Sequence, residues 1–442
     1  MKRFTKCFVG VALVFVLAMP MAVFAYYKAV RVDRLESTLW NHENFADVRE
    51  ASFSNDLYHG EISLGFIHYI SENLAKRTPF TYKELEAAIW IVEELLAMGH
   101  GWDSIEIQEF TYWDLIDARI KMLPNTWMMT TSPWILGDNR DEQIRADRVS
   151  QNVVLTLLGE SSRKIIVGAH YDSVPYPGAS DNASGTALLL ESAQRMIDID
   201  HYHTIVYVFF GAEEVGLFGA YYFYYLLTPA QRDNIVMMVN ADVLIEGPYI
   251  LFGAGAMPVG ADGEFDFEEV LDGFMELVLE QLNEMGIDLD ELPQEFVDEM
   301  LNEIQMNLAA LPDFAIVQQA FMMGLVEPDV NADASFIKYM AAEITAANDF
   351  ELVFLPEAIG FSSDNLVFLP GGYTIVNLVG LERVENLLED DFAMTMHEYF
   401  SGTVLHSPRD EFYYIEARWP GMMETNMRAF SLLLEGILTS RF

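Results

Sequence analysis

Lys164-Ile-Ile-Val-Gly-Ala169 runs into His170-Tyr-Asp-Ser173, Thr204-Ile-Val-Tyr-Val-Phe-Phe210 into Gly211-Ala-Glu-Glu214, and Ile235-Val-Met-Met-Val239 into Asn240-Ala-Asp242. Continuous apolar runs of this length read as strands buried on both faces, and each of these three ends in imidazole or carboxylate groups. In open α/β sheets, ligands sit outside the carboxyl ends of the strands. His170, Asp172, Asp181, Glu213, Glu214 and Asp242 are therefore expected to converge on one edge of one sheet.

Working outward, Asn152 to Leu158 reads as a strand before the first run. Ser184 to Met196 reads as the helix between the first two runs, with Asn182 and Ser184 as capping residues. This βαβ alternation predicts an α/β fold with a mixed, largely parallel central sheet flanked by helices. Further strands are expected at 104–110, 248–252, 352–355 and 373–378. Helices are expected at 66–74 and 82–98, and a last one, Trp419 to Ile437, over one sheet face. Residues 112–150, rich in Trp and Met, carry no assignable pattern. Residues 255 to about 348 form a separate block: no Lys or Arg occurs from Asp233 to Phe336, acidic residues are dense, and apolar residues recur at helical spacing. That block is read as an acidic helical insertion, either a solvated face or a lid.

The chain has 442 residues, 52% of them hydrophobic, which is ample for a large core. Residues 1–25 combine Lys2, Arg3 and Lys6 with an apolar run and small residues before a cut after Ala25. This is the pattern of a secretory signal, with an uncleaved membrane anchor as the alternative. The chain is expected to be secreted or periplasmic, with no membrane association after cleavage, followed by an N-terminal extension over 26–57. The single cysteine, Cys7, lies inside the leader, so neither a disulfide nor a thiolate ligand is expected in the mature chain. The formal net charge of −43 makes nucleic acid and anionic membrane surfaces poor partners.

Without cysteine, a catalytic zinc has only His, Asp and Glu to use. His170, Asp181, Glu214 and Asp242 supply four ligands, and the segment Leu405-His-Ser-Pro-Arg-Asp410 a fifth. Five exceed what one open zinc takes and suit two ions about 3.5 to 4 Å apart sharing a carboxylate. His201 and His203 imitate a metal pair but precede their strand, at the end opposite the expected site, and are read as edge residues. The aromatic cluster Tyr221 to Tyr225 is read as helix packing.

His170-Tyr-Asp-Ser, Gly178-Ala-Ser-Asp-Asn-Ala-Ser-Gly185, Glu213-Glu-Val-Gly-Leu217, Asn240-Ala-Asp242, Ser363-Asp364 and His406-Ser-Pro-Arg-Asp410 together resemble the successive motifs of the M28 family of zinc aminopeptidases, over residues 58–442. The resemblance implies two zinc ions per chain bridged by Asp181, one completed by His170 and Asp242, the other by Glu214 and His406. It implies Asp172 as the carboxylate orienting His170, Glu213 as general base, a cis peptide at Asp181–Asn182, and peptides with a free N-terminus as substrates. Asn365 and Leu405 depart from the His and Tyr that some members carry at those places. Two other readings share the scaffold: a single-zinc glutaminyl cyclase, and a non-catalytic peptide-binding ectodomain. Retention of both His170 and Asp242 argues against the first, and retention of the base against the second.

Overall fold

A computed structural model of the chain describes residues 57–111, 148–257, 331–354, 363–382 and 404–442, with isolated positions at 267, 270, 273 and 275. The leader, nearly all of the N-terminal extension, the 112–147 connection and most of the acidic block lie outside the described residues.

Eight strands form one sheet in the order β1-β2-β4-β3-β5-β8-β6-β7. They span Ile105–Thr111 (β1), Val149–Leu157 (β2), Ser161–His170 (β3), His203–Phe210 (β4), Ile235–Ala241 (β5), Tyr249–Gly255 (β6), Leu352–Phe354 (β7) and Thr374–Leu381 (β8). The central four, β4-β3-β5-β8, are parallel, whereas β1-β2-β4 and β8-β6 are antiparallel, so the expected mixed α/β sheet is what forms. Alternation along the buried strands splits the core between two faces. Ile165, Val167, Met237 and Val239 face one layer made by helices α1 (Glu61–Asn73), α2 (Tyr82–Ala97), α3 (Gly185–Met196) and the C-terminal α8 (Met422–Thr439). Ile166, Val208 and Met238 face the other, made by α4 (Phe218–Leu226) and the 3₁₀ segment Asp364–Gly371; α5 is the short Pro229–Arg232.

Three readings change. The expected helix from Trp419 to Ile437 begins only at Met422, as α8, because Pro420 and Gly421, with a left-handed φ of 76°, separate it from an additional helix, α7 (Phe412–Arg418). The described end of the acidic block, α6 (Ala332–Asn348), is not a solvated face. Its Ala334, Ile337 and Ala341 are fully buried in the first core layer, against β6, β8 and α8. The first helix begins at Glu61 rather than Phe66, since Gly60 and Ser63 are fastened through their amides to the buried carboxylate of Glu191, at 2.7 and 2.8 Å.

Candidate metal centre

At the carboxyl ends of the central strands, His170 closes β3, Asp242 follows β5 and the pair Glu213-Glu214 follows β4. Asp181 comes from the short turn Ala179–Ser184 that leads into α3, and the peptide after it, Asp181–Asn182, is cis. His406, in the left-handed region at φ 52°, comes from the loop before α7. Two groups result: His170, Asp181 and Asp242; and Asp181, Glu214 and His406.

The separations decide what these groups can hold. His170 Nε2 lies 3.1 Å from Asp181 Oδ1 and 3.3 Å from Asp242 Oδ1, while His406 Nε2 lies 3.0 Å from Asp181 Oδ2 and 3.3 Å from Glu214 Oε2. Zinc bonds of 2.0–2.1 Å give a tetrahedral ligand-to-ligand edge of roughly 3.3–3.4 Å. The histidine-to-carboxylate edges of both triads match that length to within a few tenths of an ångström, and the ligand atoms of each triad all lie within 4.8 Å of one another. Asp181 offers one oxygen to each triad, which is what a bridging carboxylate requires.

The electrostatics favour cations in the same place. Burial alone would push His170 down, but Asp242 and Glu213 carry it well above its ordinary value. Burial opposes the charged form of His406 too, yet Glu214 and Asp181 push it up to about 12. Asp181 is held below the usual carboxylate range by the two imidazoles, against the cost of its burial. Without metal, the histidine protons therefore supply the positive charge that the carboxylates demand. Asp364, fully buried, has no hydrogen-bond partner for either oxygen among the described residues. Burial and the charges of Asp242 and Asp172 push it well above its usual range. The donor set thus fits two divalent ions in chemistry, spacing and charge.

Glu213 lies beside the triads without belonging to either. Burial, then Glu214 and Asp364, raise its carboxyl well above the ordinary value, the direction a proton-accepting base needs. Asp172 sits differently from a simple partner of His170. Its carboxylate is 3.6 Å from His170 Nδ1, which is closer, at 3.3 Å, to the Asp172 backbone oxygen. The two carboxylate oxygens instead accept the amides of Glu213 at 3.0 Å and Glu214 at 3.1 Å, so one side chain aims both glutamates.

Three supporting residues are given no role in the sequence analysis, although Asp410 closes one of the quoted motifs. Arg77, fully buried, donates to the carbonyls of Tyr171 (2.6 Å), Pro177 (2.8 Å) and Gly178 (2.9 Å), spanning the loop between His170 and Asp181. Gly178 has φ 62°, and a Cβ there would meet the Arg77 guanidinium, so only glycine suits the position. Burial lowers Arg77 to about 10, against the pull of Asp410 and Asp172. Glu84, fully buried on α2, accepts from Phe80 N (2.7 Å), Ser150 Oγ (2.6 Å) and Ala212 N (3.0 Å), anchoring the turn that presents Glu213. The segment Thr81-Tyr-Lys-Glu84 has the spacing of a capping box, and Thr81 does cap α2 by accepting from Glu84 N. That spacing predicts a glutamate turned back on its own helix start, not one reaching another strand. Asp410 is the third.

His201 and His203 lie at the amino end of β4, away from both triads, and Tyr221 and Tyr224 pack in the second core layer.

Residues 152–289 match the model of Peptidase family M28. The probable lipoprotein aminopeptidase LpqL of Mycobacterium tuberculosis is 35% identical over 121 residues, covering 26% of this chain and 24% of that protein. Aminopeptidase YwaD of Bacillus subtilis is 38% identical over 81 residues, 18% of each chain. The matched segments thus span a quarter or less of these relatives' lengths. In fold, the chain is similar to BSAP, a zinc aminopeptidase from Bacillus subtilis, with a TM-score of 0.51 over 86% of this chain and 95% of that one at 13% identity. The family match covers β2 through β6 and with them four of the five triad residues. Residues 152–289 thus match peptidase family M28, and the fold around them is similar to that of a zinc aminopeptidase.

Proposed function

We propose that the chain is a two-zinc aminopeptidase that hydrolyses the first peptide bond of substrates with a free N-terminus. The observation that carries this reading is the pair of triads sharing Asp181, with Glu213 beside them and outside both. His170 and Asp242 would hold one ion, Glu214 and His406 the other, and Asp181 both. Two bound zinc ions supply acidification of a water and polarisation of the scissile carbonyl.

The chain's own groups do the rest. Glu213 takes the water's proton on its carboxylate and returns it to the leaving amine. Its raised affinity for a proton, set by burial and by Glu214, supports both transfers. Asp172 keeps Glu213 and Glu214 in register through their amides, so the base and a ligand move as one unit. The carboxylates beyond the ligands, Glu213 and Asp364, favour a cationic group nearby, which suits a substrate's free ammonium over a blocked terminus. Export through a leader removed after Ala25 belongs to the same reading, and the N-terminal residue of the mature protein tests it. Among the described residues, no helix is long and apolar enough to cross a membrane.

The test is hydrolysis of a panel of aminoacyl amides and their N-acetylated forms by the zinc-loaded chain and by Glu213→Gln. We expect cleavage of the free-amine substrates only. The variant should lose about 10²- to 10⁴-fold in kcat, as removal of a general base does, while keeping its metals. Cyclisation of N-terminal glutamine without hydrolysis would place the chain with cyclases. Binding without turnover would make it a peptide-binding module.

A further inference from the structure

Asp410 stands four residues after His406 and is 2% exposed. Its carboxylate accepts the amide of Ser180 on Oδ1 at 2.6 Å and that of Asp181 on Oδ2 at 3.1 Å, and its backbone oxygen accepts the amide of Ala179 at 3.3 Å. Three consecutive amides of the segment that presents the shared carboxylate are thus gripped by one residue of the His406 loop. That loop is a tight one. Asp410 N donates to Ser407 O at 3.0 Å, Ser407 Oγ donates to Val404 O at 2.6 Å, and His406 between them is left-handed, with its side chain 39% exposed. On the far side of the same segment Arg77 holds the carbonyls of Pro177 and Gly178, and Asp410 is the carboxylate that most offsets the burial of its charge.

These contacts have a directional consequence. The His170 and Asp242 side of the centre is built on strand ends, which the sheet fixes. The His406 side is built on a loop, tied directly to the Asp181 turn through Asp410 and, on its other side, to Glu246 through the Leu405 amide at 3.3 Å. We infer that Asp410 is a positioning residue that locks the His406 loop to the Asp181 turn and so sets the affinity of the ion held by Asp181, Glu214 and His406, more than that of the ion held by His170, Asp181 and Asp242. The inference rests on the two-ion reading of the site. Asparagine at 410 would turn an NH₂ group toward one of the two amides that the carboxylate now accepts. Glutamate would keep both acceptor oxygens and displace them by one methylene. Loss of a group that orients metal ligands lowers affinity by about 10- to 100-fold.

The experiment titrates the metal-free, full-length chain with Zn²⁺ against a chromophoric chelator, for the parent, Asp410→Asn and Asp410→Glu. Far-UV circular dichroism and a thermal transition confirm that each is folded. We expect two binding steps in the parent. The ratio of the weaker to the tighter dissociation constant should rise about 10- to 100-fold in Asp410→Asn and by a smaller factor in Asp410→Glu. If Asp410→Asn does not fold, Asp410→Glu decides: a ratio raised more than about threefold supports the assignment, and an unchanged ratio overturns it. Both steps weakened equally, or neither weakened, in a folded variant also overturns it. A parent that binds one ion defeats the two-ion reading itself, and the inference with it, a result distinct from two ions that ignore residue 410.

Discussion

Loading the centre with divalent ions should expel protons, and the number follows from the two imidazoles. Without metal, His406 is pushed up to about 12 and His170 well above its ordinary value, so both rings are charged at neutral pH. A ring nitrogen must be neutral to ligate, so filling both triads releases one proton from each histidine, about two in all. Glu213 and Asp364, whose carboxyls are raised mainly by burial, can only add to that count. The sign is fixed by the direction of the shifts. A raised histidine pKa means protons compete with metal at neutral pH, and the competition fades as pH rises toward the folded-state values. The overall constant for loading two ions should therefore climb about a hundredfold per pH unit around neutrality, tenfold per proton released. Calorimetric titration of the metal-free chain with Zn²⁺ at pH 7, in buffers of different ionisation enthalpy, reads the count directly. A binding heat that does not depend on the buffer, meaning no net proton release, would refute the electrostatic description of the site.

Glu84→Gln should lower stability by roughly 2–3 kcal/mol, because three donors now meet a buried carboxylate and the amide can accept from only some of them. It should lower kcat by a larger factor than it changes metal content, since Ala212 precedes Glu213, the proposed base; urea unfolding together with turnover measures both, and unchanged turnover would separate Glu84 from the site. His100 is 8% exposed, its Nε2 has no partner among the described residues, and burial lowers it to about 4 against a bond to the Ala193 backbone. An unfolded histidine near 6.5 then binds protons that the folded one refuses. Stability is fully present above about pH 6.5 and falls as pH drops toward 4, by about 2 kcal/mol between pH 7 and pH 5. His100→Leu should flatten that part of the urea-midpoint profile, and an identical acid slope in parent and variant would exclude the assignment.

The site was legible where chemistry interrupts a strong pattern. An apolar run such as Ile235–Val239 has few readings besides a buried strand, so a carboxylate at its end, Asp242, stands out, and parallel strands bring such ends to one edge. Boundaries were less legible where strands leave the core. Ser161 to Arg163 begin β3 as exposed or half-buried polar residues, and no apolar signal marks them. Pro420 and Gly421 set the start of α8 at Met422, but apolar spacing carried the expected helix back to Trp419. The roles of the supporting shell were not legible, even that of Asp410, which closes a quoted motif, for a reason of a different kind. Arg77, Glu84 and Asp410 act on backbone groups 94, 128 and 229 residues away, and a backbone amide or carbonyl has no sequence signature. Only a buried charge without a neighbour in sequence hints at such a role, and burial is what the fold supplies.

The proposed centre holds two ions that share Asp181. The most direct measurement is the zinc content of the folded full-length chain after equilibration with excess metal and removal of the unbound fraction, for the parent and for His406→Ala. Two zinc ions per parent chain, falling to one in the variant while the His170, Asp181 and Asp242 triad keeps its ion, is the predicted result. A parent chain that holds a single zinc under the same conditions would contradict it.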